Sequence, residues 1–202
     1  ESVEKGVIKG RYTIFGRNPD KIWEFNNKNC YIYQKNKKIK VKGSPKKNIE
    51  NIIEQFKFKI PNNLPPISSI LSGYFSYDVI RYIEKIPDNC KDDLKIPDVR
   101  LIRPKTIIIH DNLHKKIYFI INCFADQKIK NYKQYYDIQV QKIKFLKNLS
   151  FYYQNYKLKK NTDKNKIKVK SNISKNKFIN NVIKAKKYIK IGDIFQVVLS
   201  QR

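Results

Sequence analysis

The sequence predicts an α+β fold in which antiparallel sheet is packed with helices. Three observations carry that expectation. Residues 11–41 alternate short β-type runs with turn residues, residues 46–57 switch to a helical period, and residues 105–124 repeat the β pattern before a long helical stripe begins at residue 127. Short strands joined by tight turns pair with their sequence neighbours, so an antiparallel meander covered by helices is the simplest architecture.

Taken in order, the first β-type runs are Arg11 to Phe15, Lys21 to Phe25, Tyr31 to Tyr33 and Lys37 to Val41. Gly16, Asn18-Pro19, Asn26-Asn27 and Asn36 separate them, each a turn former. Ser44-Pro45 then opens a helix over Lys46 to Lys57, with Ile49, Ile52, Ile53 and Phe56 on its apolar side, and Pro61 to Pro66 follows as a breaker. Ile67 to Tyr82 reads as extended, with Tyr74, Ser76 and Asp78 on one face and Phe75, Tyr77 and Val79 on the other. If this run turns helical near its end, Asp78 and Arg81 come within reach of each other. Such a pair is structural, because a neighbouring guanidinium lowers a carboxylate's pKa and leaves it a poor proton donor.

Ile86 to Pro97 is a loop with solvated acids around it, Asp88, Asp92, Asp93 and Asp98. Lys105 to His110 and Lys116 to Phe124 make a hairpin about Asp111-Asn112, leaving His110 and His114 at a lysine-rich turn with no third metal ligand in view. Gln127 to Leu149 is the longest helical candidate, its stripe running through Ile129, Tyr132, Tyr136, Val140, Ile143 and Leu146. Residues 1–149 thus form a first domain, 150–170 a linker without period, and 171–202 the start of a second domain. There Ser174 caps a helix that buries Phe178, Val182, Ala185 and Ile189, and Gly192 closes it. The β-branched and aromatic run after Gly192 predicts a buried strand carrying Gln196 and Ser200 on one side. A buried amide without a partner costs about 1–3 kcal/mol, so Gln196 either bonds a neighbouring element or faces a ligand.

The charge balance is strongly basic, 44 Lys and Arg against 17 Asp and Glu, a formal net charge of +27. That would suit a polyanion partner. Arginine, however, stands only at 11, 17, 81, 100, 103 and 202, and the lysines are scattered among Asn, Ile and Tyr, all residues with AT-rich codons. A basic nucleic-acid-binding module is therefore carried only as an alternative from another class. Cys30, Cys90 and Cys123 have neither disulfide nor metal spacing, which points to free thiols in a reducing, cytoplasmic setting. No apolar run reaches the roughly 18–20 residues that span a bilayer. A chain that starts at Glu1, holds no Met and stops inside a strand is expected to be an internal piece, which leaves a targeting peptide ahead of it open.

Four islands occur in a characteristic order. They are Glu1-Ser2-Val3-Glu4 with Gly10-Arg11-Tyr12-Thr13-Ile14-Phe15-Gly16, then Gly73 to Tyr82, then Asp93-Leu94 with Ile96-Pro97-Asp98, and finally Lys184 to Ile191 leading into Gly192 to Arg202. Together they resemble the component I family of anthranilate synthase, among the chorismate-utilising enzymes. The resemblance implies an α/β-sandwich-type fold cut short at its C-terminal end. It further implies a regulatory first domain in which Glu1 and Ser2 belong to an allosteric pocket for L-tryptophan, with Arg11 a further candidate. The implied reaction is a lyase reaction, chorismate and ammonia giving anthranilate and pyruvate, with ammonia supplied by a glutamine amidotransferase subunit. Magnesium is the implied cofactor, its ligands lying beyond residue 202, so the stretch lacks most of the catalytic residues.

Gln196 is the implied catalytic position. Related enzymes that add water resemble this one but carry Lys there. Water needs a base before it can attack, whereas ammonia already has a free lone pair, and an amide cannot take a proton at neutral pH. Gln196 therefore marks an aminating enzyme. The folate-pathway homologue, aminodeoxychorismate synthase component I, is the alternative; Val197-Val198-Leu199 and the Glu1-Ser2 start favour the former. The sequence departs from the family at Ser68, Ser69 and Ser72, where glycines are usual, which argues against an especially tight backbone there.

Overall fold

A computed structural model describes residues 10–56, 59–89, 91–152 and 169–201 of the chain. The chain separates into two compact units, residues 1–155 and residues 156–202.

The first unit contains, in order, β1 (Tyr12–Asn26), β2 (Asn29–Gln34), β3 (Lys37–Val41), α1 (Pro45–Glu54), β4 (Ser72–Phe75), a 3-10 helix (Tyr77–Tyr82), β5 (Val99–Asp111), β6 (Lys116–Ile121) and α2 (Tyr132–Tyr152). The six strands form one antiparallel sheet in the order β3-β2-β1-β5-β4, with β6 also on β5. Its axis is the long β1–β5 pair, which runs from Tyr12 opposite Asp111 to Phe25 opposite Val99. The far edge of β5 is shared, since β4 pairs with Val99 to Ile102 and β6 with Thr106 to Asp111.

Period two sets the inner face. On β5 it presents Val99, Leu101, Arg103, Lys105, Ile107, Ile109 and Asp111, all buried except the half-buried Lys105. Trp23 and Phe25 from β1, Cys30 from β2 and Ile52 from α1 complete the core with Val99 and Leu101. Ser44 holds α1 in place: its hydroxyl accepts from the Lys47 amide at 3.3 Å while Pro45 fills the first turn, where a missing N–H costs nothing. Burying the Ile52 side chain contributes roughly 1.5–3 kcal/mol, enough to dock a ten-residue helix that would be marginal alone.

Three local expectations give way to tertiary context. Asn18-Pro19 does not divide two strands. β1 passes straight through it, Asn18 takes φ 52°, and the register shifts between Pro19 and Lys21, so the turn residues produce a bulge. The cause is the continuous partner β5, which places Pro104 opposite Pro19, where neither residue has an N–H to leave unmatched. Next, the extended run through Ser76 and Asp78 ends after Phe75, and the following residues coil into the 3-10 helix.

Helix α2, finally, starts at Tyr132 because the Asn131 side chain accepts from the Gln134 amide at 3.0 Å. Its half-buried stripe is Tyr135, Gln139, Val140, Ile143, Leu146 and Leu149, and Tyr132 and Tyr136 face outward. Ile129 sits in the preceding loop. A phenol ring is wet at one end, so tyrosine spacing alone does not fix which side of a helix is buried.

In the second unit, α3 (Lys175–Ile191) begins at Ser174, whose hydroxyl accepts from the Lys177 amide at 3.4 Å. It ends at Gly192 with φ 86°, the Asp193 amide donating to the Tyr188 carbonyl and the Gly192 amide to Ile189. The chain then doubles back, and Gln201 lies 3.2 Å from the Ser171 hydroxyl. Nine residues of extended chain match the length of a 17-residue helix, about 26 Å. The return segment 193–201 is not a strand, however, and no described segment pairs with it. Without a neighbour a strand's amides and carbonyls stay unpaired, so the pattern of Ile194 to Leu199 has no ladder to join.

Candidate functional site

Gln196 sits in that return segment. Its side chain is exposed rather than buried, among the described residues no hydrogen bond holds its amide, and its neighbour Phe195 is 94% exposed. The buried, inward-facing amide expected from the sequence is not formed within this stretch, for the same reason that the strand is not. Glu1 and Ser2 lie outside the described residues, as does Cys90. Cys30 and Cys123 are free thiols, and burial pushes the Cys30 thiol up to about 11, which keeps it unreactive.

Arg11, the further effector candidate, is held where β1 begins. Its Nε and Nη2 donate to the two carboxylate oxygens of Asp111 at 3.1 and 2.8 Å, and its guanidinium lies 4.7 Å over the Tyr12 ring. Asp111 is 1% exposed and also accepts from the Leu113 and His114 amides. The Arg11 bonds, joined by those two amides, hold its carboxyl far below the usual carboxylate range despite burial. Asn112 adds bonds to the Gly10 carbonyl and the Thr13 hydroxyl. The β5–β6 turn therefore clamps the chain at residues 10–13.

The Gly73–Tyr82 island has a clear structural role. A Cβ on Gly73 would stand 1.8 Å from the Arg100 carbonyl oxygen, so β4 meets β5 with backbone against backbone. The tight approach that the serine substitutions argued against is present, and it is concentrated at Gly73. Arg81 donates to Asp78 at 2.8 Å, as expected, and also to the Ile86 and Pro87 carbonyls, which ties the 3-10 helix to the acidic loop. Asp98 accepts from the Tyr82 hydroxyl at 2.6 Å.

A further cluster has no motif to mark it in the sequence. Arg103 is 2% exposed; its Nε and Nη2 donate to Asp20 at 2.7 and 2.6 Å, and Nη2 reaches Asp126 at 3.1 Å. Its guanidinium stacks 3.9 Å over Phe124. Lys21 pairs with Asp126, Gln127 donates to Asp20 at 2.8 Å, and the Tyr135 hydroxyl meets Gln127 at 3.1 Å. Burial pushes the Asp126 carboxyl up, but Lys21 and Arg103 outweigh it and leave it lowered. Asp20, Asp126, Gln127 and Tyr135 line one side of an 880 Å³ groove closed by Lys35, Lys105 and the start of α2. The available sequence signal was an Arg at an inward position of an apolar strand, two residues after Leu101. Among the described residues no group of three or more His, Cys, Asp and Glu could hold a metal ion, and the converging carboxylates Asp20 and Asp126 are already taken by Arg103 and Lys21.

Comparison with known proteins places this fold and its islands in one family. Residues 11–202 match the family described as chorismate binding enzyme, and the chain belongs to it. Its curated relatives include anthranilate synthase component 1 of Acetivibrio thermocellus, 38% identical over 208 residues that cover all of this chain and 42% of that protein. The enzyme of the same name from Aquifex aeolicus is 31% identical, again over the whole chain and 41% of the relative. The crystal structure of anthranilate synthase component I from Streptococcus pneumoniae TIGR4 superposes with a TM-score of 0.68 over 97% of this chain and 42% of that one; at 21% identity it shows the shared fold. The chain spans about two fifths of the length of the curated relatives it matches.

Proposed function

We propose that this chain is part of an anthranilate synthase large subunit. Chorismate and ammonia would give anthranilate, pyruvate and water, the lyase step that begins tryptophan biosynthesis, with ammonia released from glutamine by a partner amidotransferase subunit. The observation that carries the reading is the end-to-end match to relatives of that name, at up to 38% identity over the whole chain. Feedback by L-tryptophan through Glu1 and Ser2 is part of the same proposal. The Arg11–Asp111 clamp supports it by fixing the chain nine residues downstream of Ser2.

Gln196 would orient ammonia or the ring carbon it attacks without taking a proton. Magnesium would be held by residues beyond residue 202, a reading supported by the lack, among the described residues, of any group of three or more His, Cys, Asp and Glu that could hold a metal ion. When bound, the ion would supply charge neutralisation for the substrate carboxylates. Free Cys30 and Cys123 support a cytoplasmic location, and no described helix is long and apolar enough to cross a membrane.

The test is ammonia-dependent formation of anthranilate from chorismate by the full-length protein, followed by fluorescence, with and without tryptophan. Anthranilate and pyruvate in equal amounts, suppressed by tryptophan, is the expected result. An aminated product that keeps its pyruvyl group would assign the protein to aminodeoxychorismate synthesis instead.

A further inference from the structure

The groove beside Arg103 holds a cation that the local carboxylates do not answer. Among the described residues every lysine is exposed except Lys21 and Lys105. Lys21 is paired with Asp126. Lys105 projects from the middle of β5 on the buried face, two residues from Arg103, with its Nζ 5.1 Å from the centre of the Tyr135 ring and no carboxylate partner among the described residues. A basic composition explains solvated lysines on turns and helix surfaces. It does not explain a half-buried lysine on a central strand whose ammonium lies against the Tyr135 ring.

The remaining lining agrees with this. Asp20 and Asp126 are already answered by Arg103 and Lys21, whereas Lys35, Lys128 and Lys130 line the groove with no ion pair among the described residues. The first turn of α2 contributes Asn131, Gln134 and Tyr135 to the same wall, and a helix start favours negative charge. The volume of 880 Å³ falls within the range of small-molecule binding clefts, about 300–1,000 Å³.

We propose that this groove binds a small molecule carrying two or more negative charges, as phosphate or carboxylate groups, with Lys105 as its central contact and Lys35, Lys128 and Lys130 at the rim. The site lies wholly within the first unit and is independent of the reaction proposed above.

Calorimetric titration of the full-length protein with inorganic phosphate and with citrate, at about 50 mM salt so that screening stays moderate, tests it. At least one of the two is expected to bind saturably at one equivalent. Lys105→Met, which keeps the stem against Tyr135, should weaken that binding by about tenfold or more, while Lys105→Arg retains it. Lys116→Met, the same charge change at the far end of β6, should change it by at most about twofold. If Lys105→Met fails to fold, judged by circular dichroism, the loop pair Lys128→Gln and Lys130→Gln serves instead and should weaken binding by about fivefold. Absence of saturable binding by both probes, or equal losses for Lys105→Met and Lys116→Met, would each overturn the proposal.

Discussion

Asp111 shows how much a single side chain can settle. Four hydrogen bonds converge on a carboxylate that is almost wholly buried, and its folded pKa lies well below the ordinary 3.8. A depressed carboxylate contributes stability that is fully present above its unfolded pKa and is lost as pH falls towards the folded value. The melting temperature should therefore fall as pH drops below about 4, and Asp111→Asn should lower it at neutral pH while flattening that acid limb. Thermal denaturation of the two proteins from pH 7 to pH 2 measures both effects.

Gln196 poses the opposite question, since its amide is exposed and its proposed role belongs to the whole protein. Gln196→Lys should lower ammonia-dependent turnover by about tenfold or more, because a cationic amine would replace a neutral orienting group beside the nucleophile. Turnover equal to the wild type would remove the residue from the mechanism. At this scale the sequence was only partly informative. The Asp78–Arg81 pair was legible because its partners are three residues apart. Arg11–Asp111 and Arg103–Asp20 were not, because their partners lie 100 and 83 positions away and only the register of β1 on β5 brings them together.

At the level of elements, legibility followed chemistry that acts locally. Ser44, Ser174 and Gly192 each mark a helix end through a hydrogen bond or a backbone angle to which their own side chains, or lack of one, are suited. Asn18-Pro19 carries an equally strong local signal and was overruled, because a turn preference of this kind is worth less than pairing with a thirteen-residue strand on both sides of the bulge. The return segment after Gly192 failed in the other sense: its residues suit a strand, but strandedness belongs to a pair. β4 illustrates that dependence. Gly73→Ala would drive a methyl group into the Arg100 carbonyl, so it should cost about 1–3 kcal/mol and loosen β4 from β5. Amide hydrogen exchange is the readout, with faster exchange expected at Gly73 to Phe75 than at β6.

Over the whole first unit, the Arg103 cluster joins β1, β5, the loop after β6 and α2. Removing the guanidinium leaves two partly buried carboxylates without their shared partner, which typically costs about 3–5 kcal/mol. Arg103→Ala is therefore expected to lower the urea midpoint sharply. Removing Arg100, whose pair with Glu24 is 43% exposed on the arginine side, should cost no more than about 1 kcal/mol. Parallel denaturation curves for the two variants decide whether stability here depends on burial of the charge or on the mere count of ion pairs. The α+β class was visible from periodicity, and the family from four separated islands. The junction itself was not, since nothing local distinguishes Asp20 or Asp126 from the many solvated acids.

The facing prolines of β1 and β5 have a mechanical corollary. With no donor from either chain at Pro19 and Pro104, the long ribbon has a seam across its middle, and β4 and β6 attach on opposite sides of that seam. The sheet is thus two stiff panels meeting at a crease, able to flex against each other without tearing either panel's stitching.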